Sequence, residues 1–301
     1  MQQKKCYTVA GFRLDVRGEA ALFPTGLRNY LPFETTDGQP PLFTLEIVSE
    51  LPDFQAEPLF VETPEPGMPL ITLHRTGDGL FAEMAPFGDA PVAGRLLMYG
   101  RTRPDEAAPY PRARLLITHP PQGGFAFNNA LMLLFAFNTA PLGALEMHAS
   151  VVKHAGRGYL FLGRSGTGKS THSSLWLKYI DDTELLNDDN PALRLEADGS
   201  ARVYGTPWSG KTPCYKNESV PAGAVVRLRQ APENRIARLP LIQAYASLFA
   251  SASSFRPLKE LADGWHRTLE GLAATVLCYE LDCLPDEAAA RLCHETVTRH
   301  G

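Results

Sequence analysis

The chain has no cysteine framework. Its five cysteines, Cys6, Cys214, Cys278, Cys283 and Cys293, contain no C-x-x-C pair. An odd count without framework spacing predicts free thiols in a reducing cytoplasm and excludes a disulfide-stapled scaffold. A strong excess of charge of one sign is missing too. Lys and Arg number 29 against 33 Asp and Glu, a net charge of −4 over 301 residues, so no basic field favours nucleic acid or an anionic membrane. The most apolar stretch, residues 125–140 (FAFNNALMLLFAFNTA), is interrupted by Asn128, Asn129 and Asn138. It is shorter than a membrane span needs and predicts a buried core helix. The basic start, Met1 to Cys6, has no apolar core behind it, unlike a secretory signal. No internal repeat is visible. An N-K-x-D base-reading motif is also absent, which argues against a GTPase-type switch. What remains is ordinary globular composition, 44% hydrophobic and 21% charged, with length enough for two domains.

Residues 163 to 171 read Gly163-Arg164-Ser165-Gly166-Thr167-Gly168-Lys169-Ser170-Thr171, the G-x-x-x-x-G-K-S pattern of a phosphate-binding loop. Backbone N–H groups of such a loop wrap phosphates, and the following helix N-terminus faces the anion. Lys169 is placed to reach the β- and γ-phosphates and the Ser170 hydroxyl to join a Mg²⁺ shell. The flanks fit. Tyr159 to Leu162 is an apolar run that predicts a buried strand, and Leu175, Trp176 and Tyr179 recur at helical spacing over 172–180. The ligand implied is ATP or another nucleoside triphosphate, with Mg²⁺.

Around this motif the chain divides at about residue 120. Residues 1–120 carry short apolar or alternating runs, among them Tyr7 to Val16, Leu42 to Val48 and Ala113 to Thr118, and predict a mainly antiparallel β domain. His74 and His119 are isolated there, and no catalytic constellation is visible. Residues 121–301 predict a nucleotide-binding α/β domain that begins with the apolar helix. In it, Glu146 to Val152 predicts a strand, Ala155 to Gly158 turns it into the loop's strand, and such a hairpin predicts a mixed sheet. Thr183 to Asp189 predicts a further strand. Helices are expected over Leu241 to Phe255 and Leu258 to Ala274, and a last one opened by Pro285-Asp286-Glu287.

A phosphate loop does not name a reaction. Asp188-Asp189, behind the apolar pair Leu185-Leu186, supplies the next clue, because a carboxylate after an apolar strand is what holds Mg²⁺ opposite such a loop. A second carboxylate offers a base for a substrate hydroxyl. Neighbouring residues on an extended strand point to opposite faces, so both can serve one site only if the backbone turns there. Pro191 is consistent with that end. Lys211, after Thr206-Pro207-Trp208-Ser209-Gly210, is either a second phosphate clamp or a surface lysine. Read alone, His148 is a histidine packed on an apolar strand.

Together, His148, the loop 163–171 and Leu185-Leu186-Asn187-Asp188-Asp189 resemble the HPr serine kinase and phosphoenolpyruvate carboxykinase group. The likeness covers about residues 145–300 and is absent from the first 120. It looks most like the HPr-kinase-related proteins that pair a divergent N-terminal domain with this kinase core. The resemblance implies a mixed-sheet P-loop kinase core and Mg-dependent transfer of phosphate to a hydroxyl of a peptide, protein or small alcohol. It implies Asp188 as the base, Asp189 toward the metal and His148 beside the phosphates; Ser170, Asp188 and Asp189 form the candidate metal set. The sequence leaves open which aspartate is base and which is ligand. Relatives assemble into rings, so a homo-oligomer is open as well. Neither the signature loop of HPr kinases nor a carboxykinase ligand set is matched. A nucleotide-binding module without turnover and a decarboxylating kinase remain the alternatives.

Overall fold

The structure is a computed structural model that describes residues 1–61, 69–77, 79–99, 111–210, 212–253 and 259–299. The chain splits into two compact units, Met1–Asn138 and Thr139–Gly301.

The first unit is an eight-stranded sheet with one long helix. Its strands are β1 (Gln2–Val9), β2 (Phe12–Glu19), β3 (Phe43–Val48), β4 (Ala56–Val61), β5 (Leu70–Thr76), β6 (Gly79–Ala85), β7 (Gly94–Tyr99) and β8 (Arg112–Ile117), in the order β1-β2-β3-β8-β7-β6-β5-β4. Five of the seven pairings are antiparallel. The two around β3, to β2 and β8, are parallel, so this sheet is mixed where the sequence suggested hairpins. The run Tyr7 to Val16 is two strands, not one. Ala10 and Gly11 both take positive φ, which turns the chain through a tight hairpin. One face of the sheet is buried: Leu14, Val16, Phe43, Leu45, Ile47, Ala113 and Leu115 alternate with more exposed neighbours.

The apolar helix α1 (Gly123–Thr139) lies largely within this unit, so the boundary falls later than residue 120. Packing explains the shift. Phe127 meets Tyr30 edge to face at 5.3 Å, and Phe135 meets Phe12 at 6.2 Å. With its flanking turns the helical run Pro120–Leu142 is 23 residues of mean hydropathy 1.3, long and apolar enough to cross a membrane on those two measures, and longer than the sequence suggested. Ala126, Phe127, Ala130, Leu131 and Phe135 are fully buried, as in a core helix.

The second unit is α/β with a mixed sheet. In chain order it holds β9 (Ala144–Glu146), β10 (Ala149–His154), β11 (Arg157–Leu162), α2 (Lys169–Tyr179), β12 (Thr183–Asp189), β13 (Ala192–Leu195), β14 (Ala201–Tyr204) and β15 (Ser219–Gln230). There follow β16 (Arg235–Arg238), α3 (Leu241–Ser251), α4 (Lys259–Thr275), β17 (Cys278–Cys283) and α5 (Glu287–Val297). The strand predicted over Glu146 to Val152 is broken at Met147-His148 into β9 and β10. β9 pairs with β13, while β10 pairs with β11 and β12. The helix expected to reach Phe255 ends at Ser251, and residues 254–258 lie outside the described residues. The central strands are apolar on both faces. Val151, Leu160, Leu162 and Val225 pack with Leu248, Trp265 and Leu269 of α3 and α4. Val152, Tyr159, Phe161 and Val226 pack with Trp176 of α2 and Ala290 and Cys293 of α5. Helices on both faces of a largely buried sheet give a three-layer core. All five cysteines are free thiols.

Candidate active site

The strand register gathers the predicted residues. β10 runs antiparallel to β11 on one side and to β12 on the other, and Ala149 lies opposite both Leu162 and Asp189. The start of β10, the end of β11 and the end of β12 therefore share one edge of the sheet. His148, Gly163 and Asp189 stand at those three points.

The glycine-rich loop 163–168 spans from β11 into α2. Gly166 and Gly168 take φ of 78° and 105°, values that side chains with a Cβ adopt only under strain. That conformation brings the loop round to the N-terminus of α2, where unpaired backbone N–H groups and the helix dipole favour an anion. Lys169 Nζ donates to Gly163 O at 3.0 Å and to His148 Nε2 at 2.8 Å. His148 Nδ1 lies 3.1 Å from Asp189 Oδ1. With its Nε2 lone pair on the ammonium, the imidazole presents Nδ1–H to the carboxylate. Burial pushes the Lys169 ammonium below its ordinary range, while Asp189 and Asp188 pull it back up.

Asp188 faces the loop from the other strand. Its Oδ1 accepts from the Ser170 hydroxyl at 2.9 Å, and the residue is 3% exposed. A β-bulge sets this aim. Val152 pairs with Leu185 and Val151 with Asn187, which leaves Leu186 without a partner strand residue. Leu186 packs into the core shared with α3 and α4. Simple alternation would send Asp188 the same way. The extra residue sends it instead to the α2 face, beside Ser150, whose hydroxyl meets that of Ser173 in α2 at 2.6 Å. Asp189 then has φ 131°, a strained value for a residue with a Cβ. The backbone turns there, and the second carboxylate stays at the same edge instead of passing through the sheet.

The loop after β14 closes the arrangement. Gly210 N donates to Asp188 O at 2.6 Å and Ser209 Oγ to the same oxygen at 3.0 Å. The fully buried Asn187 amide holds this loop by donating to Thr206 O and Trp208 O at 3.3 and 3.2 Å. A Cβ on Gly210 would sit 3.1 Å from Asp189 Cβ. Lys211 lies outside the described residues.

One group was missed in the sequence. Glu146, at the end of β9 and two residues before His148, is 1% exposed. Its Oε2 has no hydrogen-bond partner, and Oε1 takes only Ser253 Oγ at 3.4 Å. Burial first, and Asp189 second, push this carboxyl up to about 8. The signal was an acid inside the apolar run Ala144-Leu145-Glu146-Met147.

The oxygen set fits a hard cation. A serine hydroxyl and one or two carboxylates, with room left for water and phosphate oxygens, is how Mg²⁺ is commonly held. Among the described residues, no cluster of three or more His, Cys, Asp or Glu side chains forms a protein-only metal cage.

No protein-family model matches the sequence, and no curated protein matches it. Among solved structures, the chain is similar to the Hpr(Ser) kinase/phosphatase from Coxiella burnetii, at 13% identity and a TM-score of 0.29, over 52% of this chain and 94% of that one.

Proposed function

We propose that the protein is a Mg²⁺-dependent phosphotransferase that moves the terminal phosphoryl group of ATP, or of another nucleoside triphosphate, to a hydroxyl on a peptide, protein or small molecule. The observation that carries this reading is the Ser170–Asp188 contact at 2.9 Å. It joins a hydroxyl of the glycine-rich loop to a buried carboxylate on β12, one strand removed from the strand that leads into the loop, the two protein groups that share a magnesium ion in phosphate-loop enzymes. Held by Ser170 and Asp188, such an ion would neutralise charge on the bound phosphates.

The chain's own groups supply positioning and proton transfer. The backbone of 163–168 and the N-terminus of α2 orient the phosphates. Lys169, half-buried and already drawn toward two carboxylates, stabilises charge on the transferring group. The acceptor oxygen forms a bond to the γ-phosphorus as the bond to the bridging oxygen breaks, and the acceptor's proton must leave. Asp189, more exposed than Asp188 and hydrogen-bonded to His148, is the better placed to take it, with Asp188 on the metal side. This exchanges the roles that the family resemblance implies for the two aspartates.

The test uses terminally labelled ATP with Mg²⁺ and a cell extract, with the labelled acceptor read by mass spectrometry. Asp189→Asn is expected to lower transfer by about 10²–10⁴-fold, the range for loss of a general base, with nucleotide binding kept. Asp188→Asn is expected to lose both transfer and Mg²⁺-assisted nucleotide binding. Wild-type protein that binds the nucleotide, labels nothing and releases no phosphate would make it a binding module instead. An Asp189→Asn variant as fast as wild type would remove that residue from the mechanism.

A further inference from the structure

A pair of histidines outside the phosphate site lies at the opposite end of β10. His154 ends that strand, across from Thr183 at the start of β12, and His294 stands in the last turn of α5. Both rings pack edge to face against Trp176 of α2, with centroids 6.4 Å and 5.3 Å from the indole. Their Nε2 atoms lie 3.1 Å apart, and both residues are half-buried.

Two imidazole nitrogens meet this closely around a shared proton or around a shared metal ion. The geometry favours the metal. A straight N–H···N bond would hold the ring centroids about 5.4 Å apart. They stand 4.7 Å apart with the planes at 82°, so at least one ring is tipped off the N···N line. Two nitrogens about 2.0–2.1 Å from one ion, and 3.1 Å from each other, subtend roughly 95–102° at it. That lies between the octahedral and tetrahedral angles. The tautomer fits as well. Thr183 Oγ1 donates to Asp181 O at 3.5 Å, which leaves its lone pairs to accept from His154 Nδ1–H at 3.4 Å. A metal-binding histidine is commonly held by its far nitrogen in this way, with the other nitrogen as the lone pair. Burial first, and His154 second, hold the His294 imidazolium below its ordinary range, which leaves that ring neutral at pH 7 and able to ligate.

We infer that His154 and His294 form a site for a transition-metal dication of the zinc, nickel or copper type. Among the described residues no third His, Cys, Asp or Glu joins them, so water or an exchangeable anion completes the shell. Imidazole selects such ions over Mg²⁺, which prefers oxygen. The site is therefore separate in chemistry as well as in place from Ser170 and Asp188, and it does not depend on the phosphotransferase reading. A bound ion pins the last turn of α5 to the end of β10.

Calorimetric titration of the full chain with Ni²⁺, in excess Mg²⁺, tests the site. In wild type the ion is expected to bind, to quench tryptophan fluorescence through Trp176 and to raise the urea midpoint of the second unit. His154→Gln and His294→Gln keep a polar side chain, and each should weaken Ni²⁺ binding tenfold or more and remove both effects. His74→Gln, in the first unit, should change it less than twofold. Affinity within twofold of wild type in either pair variant, or no binding by wild type at millimolar Ni²⁺, would overturn the inference. Should a variant fail to fold, anomalous scattering from Ni²⁺-soaked wild-type crystals decides. A peak within bonding distance of both Nε2 atoms supports the site, and peaks only elsewhere refute it.

Discussion

Replacing Glu146 by Gln should make the second unit more stable relative to wild type as pH rises. The carboxyl is buried, lacks a partner at Oε2 and is raised from its ordinary 4.5 to about 8. Between those values the folded chain holds a proton that the unfolded chain releases. Stability therefore falls as pH climbs through this window, by at most about 1.4 kcal/mol per pH unit. Summed to pH 8 the ceiling is about 5 kcal/mol, and water entry or small relaxations would lower it. Glutamine is neutral throughout and keeps an oxygen for Ser253. Its buried NH₂ costs about 1–3 kcal/mol if left unpaired, but that penalty does not depend on pH. The quantity to read is thus the slope of the difference, not its absolute value. Trp176, Trp208 and Trp265 all lie in Thr139–Gly301, so tryptophan fluorescence during urea unfolding reports on this unit alone. Measured near pH 5, 6.5 and 8, the variant should gain on wild type at each step. A flat difference, or one of opposite sign, would refute a protonated Glu146 at neutral pH.

Other perturbations follow from single contacts. His148→Ala removes one acceptor of Lys169 and one partner of Asp189. Transfer should drop about 10²-fold or more while nucleotide affinity, by equilibrium titration, changes only a few-fold; equal losses in both would make His148 a binding residue. Asn187→Ala deletes two buried amide bonds to the 206–208 backbone, a cost of about 1–3 kcal/mol in urea unfolding; a neutral result would show that the loop is held by other contacts. Gly94→Ala would place a Cβ 2.6 Å from Ala126 Cβ, pushing α1 away from β7 and costing about 1–3 kcal/mol in the first unit. Asp286→Ala removes the cap that accepts from Ala289 N at 2.8 Å, which should cost about 1 kcal/mol.

Local signals were legible in the sequence wherever one segment carried them. The phosphate loop, its strand and its helix lie within about 20 residues, and both flanks appear where the pattern places them. The acidic opening of α5 was visible for the same reason, since Asp286 caps its own helix. Signals that depend on a distant partner were not. Nothing in Tyr7 to Val16 marks a hairpin except Ala10-Gly11, and alanine at positive φ is rare enough to hide it. The break at Met147-His148 joins two apolar halves, so the run reads as one strand until β13 and β12 claim its ends. The parallel pairing of β3 with β8 likewise comes from a strand far along the chain.

At the two aspartates the strand departs from regular alternation, and the backbone turns at Asp189. Strict alternation puts Asp188 and Leu186 on one face, and Leu186 belongs to the core under α3 and α4. On that rule Asp188 would be a buried, unpaired charge facing apolar side chains, at a cost of several kcal/mol. The bulge at Leu186 removes the conflict by spending one residue without a ladder partner. The positive φ at Asp189 then keeps the second carboxylate beside the first. Two departures from regular strand geometry in four residues are expensive unless the surroundings fix them. Here Ser170, His148, Ser209 and Gly210 each bond to one of the two aspartates. A merely structural strand end would need none of this. Asp182 of the exposed Asp181-Asp182 pair also takes a positive φ, so backbone irregularity alone does not mark the site. The bonds of Ser170 and His148 to the two carboxylates beside the glycine-rich loop separate this turn from that one and make it the place to seek catalysis.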